Sequence, residues 1–165
     1  MSRSVKLIVL CGLPASGKST TRTELERILT SRKEKYTVVC PDDIRKELTG
    51  DTSDQTRNAD VFELAYKRLR QNLRAGKSVV FDATNVDKKN RRKLIKVGKS
   101  SKSGIIALWQ DTNKSVCIQR NNNRERVVPE FVIQNMCRKF QKPDIKEGFD
   151  SVIRVTPSTI LKNVL

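Results

Sequence analysis

The residues best placed to do chemistry come early in the chain. In GLPASGKST, running from Gly12 to Thr20, two glycines bracket four residues and are followed by lysine and serine, directly behind the apolar run at residues 5–11. Glycines at that spacing let successive backbone N–H groups turn inward around a phosphate. Lys18 can then reach the β- and γ-phosphates, and the Ser19 hydroxyl can ligate Mg²⁺. The positive end of a helix opening at Thr20 adds to the anion site. Gly12, Ser16, Gly17, Lys18, Ser19 and Thr20 are therefore the candidate ligands of a nucleoside triphosphate, with ATP and Mg²⁺ as the expected cofactors.

Three later stretches offer further groups. Cys40-Pro41-Asp42-Asp43-Ile44-Arg45 holds an Asp pair with an arginine one helical turn beyond the first Asp. A carboxylate here can accept a proton from an attacking hydroxyl, and Arg45 can hold a phosphate or the transferring phosphoryl group. Either Asp can instead be the N-cap of a helix over residues 44–48; Asp42 is the preferred base, and Asp43 stands evenly between the two readings. Phe81-Asp82-Ala83-Thr84-Asn85 ends an apolar strand in an acid suited to orienting Mg²⁺ or its water, or to a turn, with Thr84 and Asn85 following on the expected substrate side. In Arg120-Asn121-Asn122-Asn123-Arg124-Glu125-Arg126 the arginines bunch ahead of Pro129, as in a lid that lays guanidinium groups on a triphosphate, or as in a plain solvated face.

The elements that must position these groups follow from periodicity. Apolar runs at residues 5–11, 36–40, 78–82, 105–109 and 152–155 alternate with charged, helix-periodic stretches, which predicts five parallel strands in an α/β fold. In such a sheet ligands sit outside the carboxyl ends of the strands, where the stretches quoted above fall. Leu25, Ile28 and Leu29 mark the first helix. Phe62, Ala65, Tyr66, Leu69 and Leu73 form a stripe read as core packing, ended by Gly76, and Val132, Ile133, Met136 and Phe140 form another on a helix begun near Pro129. Residues 48–58 are the least periodic and read as a mobile loop near the substrate side.

The 165 residues fit one domain. With 34 Lys plus Arg against 18 Asp plus Glu, the net charge of +16 points to a polyanionic partner, or less specifically to a basic surface. Cys11, Cys40, Cys117 and Cys137 are scattered and read as small core residues of a cytoplasmic protein. With no histidine and no cysteine pair a zinc site is not expected. Residues 1–4 are too short for a signal peptide, and no apolar run is long enough for a membrane span. A guanine-nucleotide switch protein is set aside, because Asn113-Lys114 continues as Ser115-Val116 without the Asp that base recognition needs.

Taken in order, GLPASGKST, PDDIR, FDATN and RNNNRERVVP resemble the kinase domain of polynucleotide 5′-hydroxyl kinases, especially the phage-type end-repair enzymes, over most of the chain. The resemblance implies a P-loop kinase-type three-layer sandwich, a five-stranded parallel sheet with helices on both faces, and an arginine-bearing lid over about residues 113–129. It further implies that Lys18 and Ser19 hold phosphates and Mg²⁺, that Asp42 is the general base on a 5′-hydroxyl, that Arg45 contacts substrate or transferring phosphate, and that Arg120 and Arg124 cover ATP. Pro41 stands where some phage-type members carry a basic residue. A 3′-phosphatase domain, fused in some members, is not expected within these residues, so phosphatase and ligase would act from other polypeptides; a phage genome is one candidate source.

The expected activity is transfer of the γ-phosphate of ATP to the 5′-hydroxyl of DNA or RNA. Arg57, Lys67, Arg70, Arg74, Lys88, Lys89, Arg91, Arg92 and Lys93 are candidates to track the strand's phosphates. The rivals are a P-loop kinase for a small-molecule hydroxyl, and a nucleic-acid-binding ATPase that phosphorylates nothing.

Overall fold

A computed structural model describes residues 5–165; the short N-terminal stretch at residues 1–4 lies outside the described residues. Five strands, β1 (Lys6–Cys11), β2 (Tyr36–Val39), β3 (Ser78–Asp82), β4 (Gly104–Gln110) and β5 (Ser151–Val155), form one sheet in the order β2-β3-β1-β4-β5. Every neighbouring pair is parallel, and β1 lies at the centre with Leu10 opposite both Asp82 and Leu108. The five apolar runs are these strands, with ends displaced by no more than a residue.

The runs are continuous because the sheet is buried on both faces. Ile8, Leu10, Val80, Ile106 and Leu108 point to one side, against Leu25, Ile28 and Leu29 of α1 (Lys18–Ser31). The alternate residues, Leu7, Val9, Cys11, Val79, Phe81, Ile105, Ala107 and Trp109, point to the other. There they meet Val61, Ala65, Leu69 and Leu73 of α3 (Asn58–Arg74) and Leu94 and Ile95 of α4 (Lys88–Ser100). Full burial of each Val, Leu, Ile or Phe among them contributes roughly 1.5–3 kcal/mol. Right-handed crossovers dictate the sides: the chain moves outward from β1 to β2 through α1 and back across the sheet through α3 and α4, so these helices take the opposite face. Helix α4 lies especially close to the sheet. A Cβ on Gly98 would stand 2.8 Å from the Ile105 side chain, so only glycine fits there without repacking.

Three expectations are corrected. Helix α2 spans Pro41–Thr49 with Cys40 at its N-cap, so Asp42 and Asp43 lie in its first turn and neither caps it. Proline at the first helical position sacrifices no hydrogen bond, which is why the helix starts earlier than residue 44. On α6 (Glu130–Lys139) only Ile133 is buried, while Val132 and Met136 line a cleft, as does Phe62 of α3; these stripes are core in part only. Cys11 and Cys117 are core residues, but Cys40 also faces the cleft, and its thiol is pushed up to about 11 by burial. Among the described residues no helix is long and apolar enough to cross a membrane.

Candidate active site

The carboxyl ends of β1, β2 and β3 open into a cleft of about 1010 Å³, roofed by α6, by α5 (Lys114–Asn122) and by the turn between them. The phosphate loop emerges from the central strand and is fastened on both sides. Gly12 N–H donates to the Thr84 carbonyl at 2.9 Å, beyond β3, and the Thr112 hydroxyl donates to the Ser16 carbonyl at 2.7 Å, beyond β4. Gly12 has no room for a side chain, since a Cβ would stand 2.6 Å from Ser16 Oγ and 2.9 Å from Gln110 Cβ. Gly17, at φ +108, turns the chain into α1, whose start no side chain caps. The first amides of α1 are therefore left for an anion.

Lys18 folds its ammonium back onto the loop, donating to the carbonyls of Gly12 at 2.9 Å and Leu13 at 2.7 Å. Burial pushes it down to about 8; the Asp82 charge resists that shift and Arg124 adds to it. This is a poorly solvated cation with no carboxylate in contact, so the loop fits a phosphate. Ser19 and Thr20 are exposed to the cleft, whereas Gly12 and Ser16 lie behind it and shape the loop.

Asp82, half-buried at the end of β3, accepts from Arg22 Nη1 at 3.2 Å. Arg22 also lies 3.6 Å from Asp43 and donates through Nε to Glu26 at 3.0 Å. Its burial opposes the charge, but the bonds to Glu26 and Asp82 outweigh that and raise its pKa. Asp42 is open to the cleft, its side chain 59% exposed, and is gripped from beneath by the buried Arg45. Arg45 donates in addition to Asn58 Oδ1 at 2.9 Å, and its Nε is buried without a partner. Its guanidinium thus faces Asp42 at the wall of the cleft.

Arg120 and Arg124 both line the cleft from the roof. Arg120 stands in the last turn of α5, and the turn after it, which carries Arg124, is built on Asn121, fully buried, whose amide donates to the Val128 carbonyl at 2.7 Å while its oxygen accepts from Val128 N–H at 3.0 Å. Arg126 reaches across to the segment after α2, donating to the Thr52 carbonyl at 2.9 Å with its other nitrogen 4.0 Å from Asp42. Residues 48–58, expected as loop, make two tight Asx turns at Asp51 and Asp54 and contribute Thr52 and Gln55 to the cleft wall.

The structure thus gathers Gly17, Lys18, Ser19, Thr20, Asp42, Asp43, Arg45, Asp82, Thr84, Arg120 and Arg124 around one space. It does not bring Asn85 there. Asn85 is buried in a left-handed conformation at φ 46, donates to the Leu10 carbonyl at 2.7 Å, and through its own carbonyl accepts from Arg91. Arg91 leaves the strand-tracking set too, being fully buried in a bidentate pair with Glu147 at 2.8 Å on both arms. Arg22, Asn121 and Thr112 are site-building residues that sequence reasoning missed; Arg22, one helical turn beyond Lys18, was findable by that spacing.

A loop of this geometry on a central parallel strand, roofed by arginines, defines a domain of the kinase-like P-loop fold. The model of the AAA domain family matches residues 7–143, and the chain belongs to that family. It is 25% identical over 144 residues to L-seryl-tRNA(Sec) kinase of Methanococcus maripaludis, which covers 87% of this chain and 56% of that protein. Kti12 of Chaetomium thermophilum in complex with ADP-AlF3 has the same fold, with a TM-score of 0.73 at 17% identity over 92% of this chain and 89% of that one. A chain of the Pnkp1/Rnl/Hen1 RNA repair complex gives 0.74 at 20% identity over 91% of this chain and 48% of its own. The chain spans about half the length of the curated relatives it matches.

Proposed function

We propose that this domain is a polynucleotide 5′-hydroxyl kinase that moves the γ-phosphate of ATP to the 5′-OH end of DNA or RNA. The observation that carries the reading is that Asp42, held by Arg45, opens into the same cleft as the phosphate loop. A cleft of about 1010 Å³ is at the upper end of ligand pockets and has space for a nucleotide and an acceptor terminus together.

In the proposed reaction Lys18 and the first amides of α1 hold the β- and γ-phosphates, and Arg120 and Arg124 close on them from the roof. Ser19 and Asp82 would hold Mg²⁺, which when bound neutralises charge between the β- and γ-phosphates. Asp42 orients the acceptor hydroxyl and takes its proton as the O–P bond forms and the bond to the β-phosphate oxygen breaks. Arg45 acts as a positioning residue, fixing the rotamer of Asp42. A polymeric acceptor is supported by the net charge of +16, which one triphosphate does not require. It is also supported by likeness to a kinase named for a tRNA and to a chain of an RNA repair complex. The four free cysteines suit a reducing, cytoplasmic setting.

The test follows γ-labelled ATP in the presence of Mg²⁺ with an oligonucleotide ending in a 5′-hydroxyl and with the same strand already 5′-phosphorylated. Label should enter the first and not the second, and Lys18→Ala should abolish transfer with an unchanged circular dichroism spectrum. Label that appears only as inorganic phosphate, or only on small alcohols, sinks the proposal.

A further inference from the structure

Helix α4 presents an exposed face that is almost wholly cationic. Its inward positions, Arg91, Leu94, Ile95 and Gly98, recur at helical spacing and are buried. Its outward positions include Lys88, Lys89, Arg92, Lys93, Lys96 and Lys99, all exposed, with no acid anywhere in the helix. Helix α1, on the other face of the sheet, treats its cations differently, Arg22 pairing with Glu26 and Arg27 with Glu24, whereas the adjoining α3 does so only in part: Arg68 reaches Glu47 on α2, while Lys67, Arg70 and Arg74 make no ion pair among the described residues. None of the six outward cations of α4 makes an ion pair among the described residues. Two carboxylates that do touch this helix are already engaged, Asp87 in capping the Asn90 amide and Glu147 in holding Arg91.

This arrangement works against the helix itself. Lys88 and Arg92, Lys89 and Lys93, and Arg92 and Lys96 are like charges at i,i+4, and Lys88 and Lys89 sit at the positive end of the helix dipole. A solvated face would disperse such repulsion with interleaved acids, as α1 does with Glu24 and Glu26. The position matters as well. Thr84, in the cleft wall, lies four residues before Lys88, so the row starts within a short connection of the cleft and runs down the flank of the sheet for about 20 Å at 1.5 Å per residue. Lys93 additionally lies 6.0 Å over the ring of Tyr66, on the adjoining helix α3.

We propose that the outward face of α4 is the track for the phosphate backbone of a nucleic-acid strand whose end enters the cleft. The inference rests on the proposed polynucleotide kinase reading for the identity of the strand's end. The surface itself is tested by binding without ATP, so that the two can fail separately.

The probe is a fluorescein-labelled single-stranded 20-mer with a 5′-hydroxyl, followed by anisotropy at several salt concentrations. Two variants each remove three positive charges: Lys89→Gln/Arg92→Gln/Lys96→Gln on α4, and Lys33→Gln/Lys35→Gln/Lys162→Gln, at exposed lysines near the far ends of the strands and on the α1 side. Each phosphate contact on a single strand contributes about 0.7 to the slope of log K against log salt. The α4 variant should therefore lose roughly 2 from that slope and bind at least tenfold more weakly at low salt, with an unchanged circular dichroism spectrum, while the second variant stays near the parent. Equal losses in both variants mean that only the net charge matters and overturn the proposal. An α4 variant with parental slope and affinity overturns it too, as does a parent that binds vesicles of anionic lipid but not the 20-mer. Strand binding that depends on α4 without any 5′ transfer upholds the surface and removes the kinase reading.

Discussion

Asp42 carries two arginines of different standing. Arg45 is buried and holds it through a short bond, whereas Arg126 is half exposed and 4.0 Å away. The buried partner sets the rotamer, and the exposed, longer contact is the one an entering acceptor would displace. Asp42→Asn preserves shape and removes the proposed base, so kcat should fall by about 10² to 10⁴ with little change in ATP affinity. Asp43→Asn, which loosens only the longer contact to Arg22, should do less harm; equal activity of both variants in steady-state assays would remove Asp42 from its role. Lys18 gives a pH signature in the free protein. Its folded value is near 8 against an ordinary 10.5, so between those pH values the unfolded chain binds more protons and stability rises with pH. Below about pH 8 both states are protonated and the contribution is flat. Urea unfolding at pH 7, 8, 9 and 10 should show the parent gaining on Lys18→Met only above pH 8. The phosphate-loop residues were legible in the sequence because their function is local, a run of amides and one lysine. The place of Asn85 was not legible, since its partners, Leu10 and Arg91, belong to other elements.

At the scale of the element, the roof depends on one side chain. Asn121 closes the turn that carries Arg124 and Arg126 by meeting both polar groups of Val128. Truncation leaves the part-buried N–H and carbonyl of Val128 without these partners, at a cost of about 1 kcal/mol. Asn121→Ala should lower the melting temperature and raise KM for ATP, approaching the effect of Arg124→Ala, while kcat at saturating ATP changes less. Parental KM in a melted-down variant would show that the roof arginines are placed by something else. Three asparagines in a row gave no periodic cue to which one turns inward. The helix starts were more readable: Pro41 marks a first helical position, and that cue places Asp42 and Asp43 inside α2 once it is weighed above the Asp pair's taste for capping. The strands were legible almost to the residue because burial on both faces demands uninterrupted apolar runs.

At the scale of the whole molecule, α4, the turn after β3 and the 3₁₀ turn Ile145–Glu147 are joined through Arg91. Removing one partner of a buried charge pair strands the other. Glu147→Gln should therefore destabilise by about 3–5 kcal/mol, and the apolar pair Arg91→Met/Glu147→Leu should recover much of that loss in chemical denaturation. A neutral Glu147→Gln would mean that solvent reaches Arg91. The segments tied together are far apart in the chain, which is why a helix of basic residues offered no hint that one of them belongs to the core. The two bonds that fasten the phosphate loop, Gly12 to Thr84 and Thr112 to Ser16, have a bearing on time as well as on shape. A loop pinned to the strand ends on either side is already close to one shape, so a nucleotide that binds there would surrender little disorder in the loop, and the slower movement would fall to the roof. In the proposed reaction, capture and release would then run at the tempo of the turn between α5 and α6, and an acceptor that props this turn open would hasten the departure of the spent nucleotide.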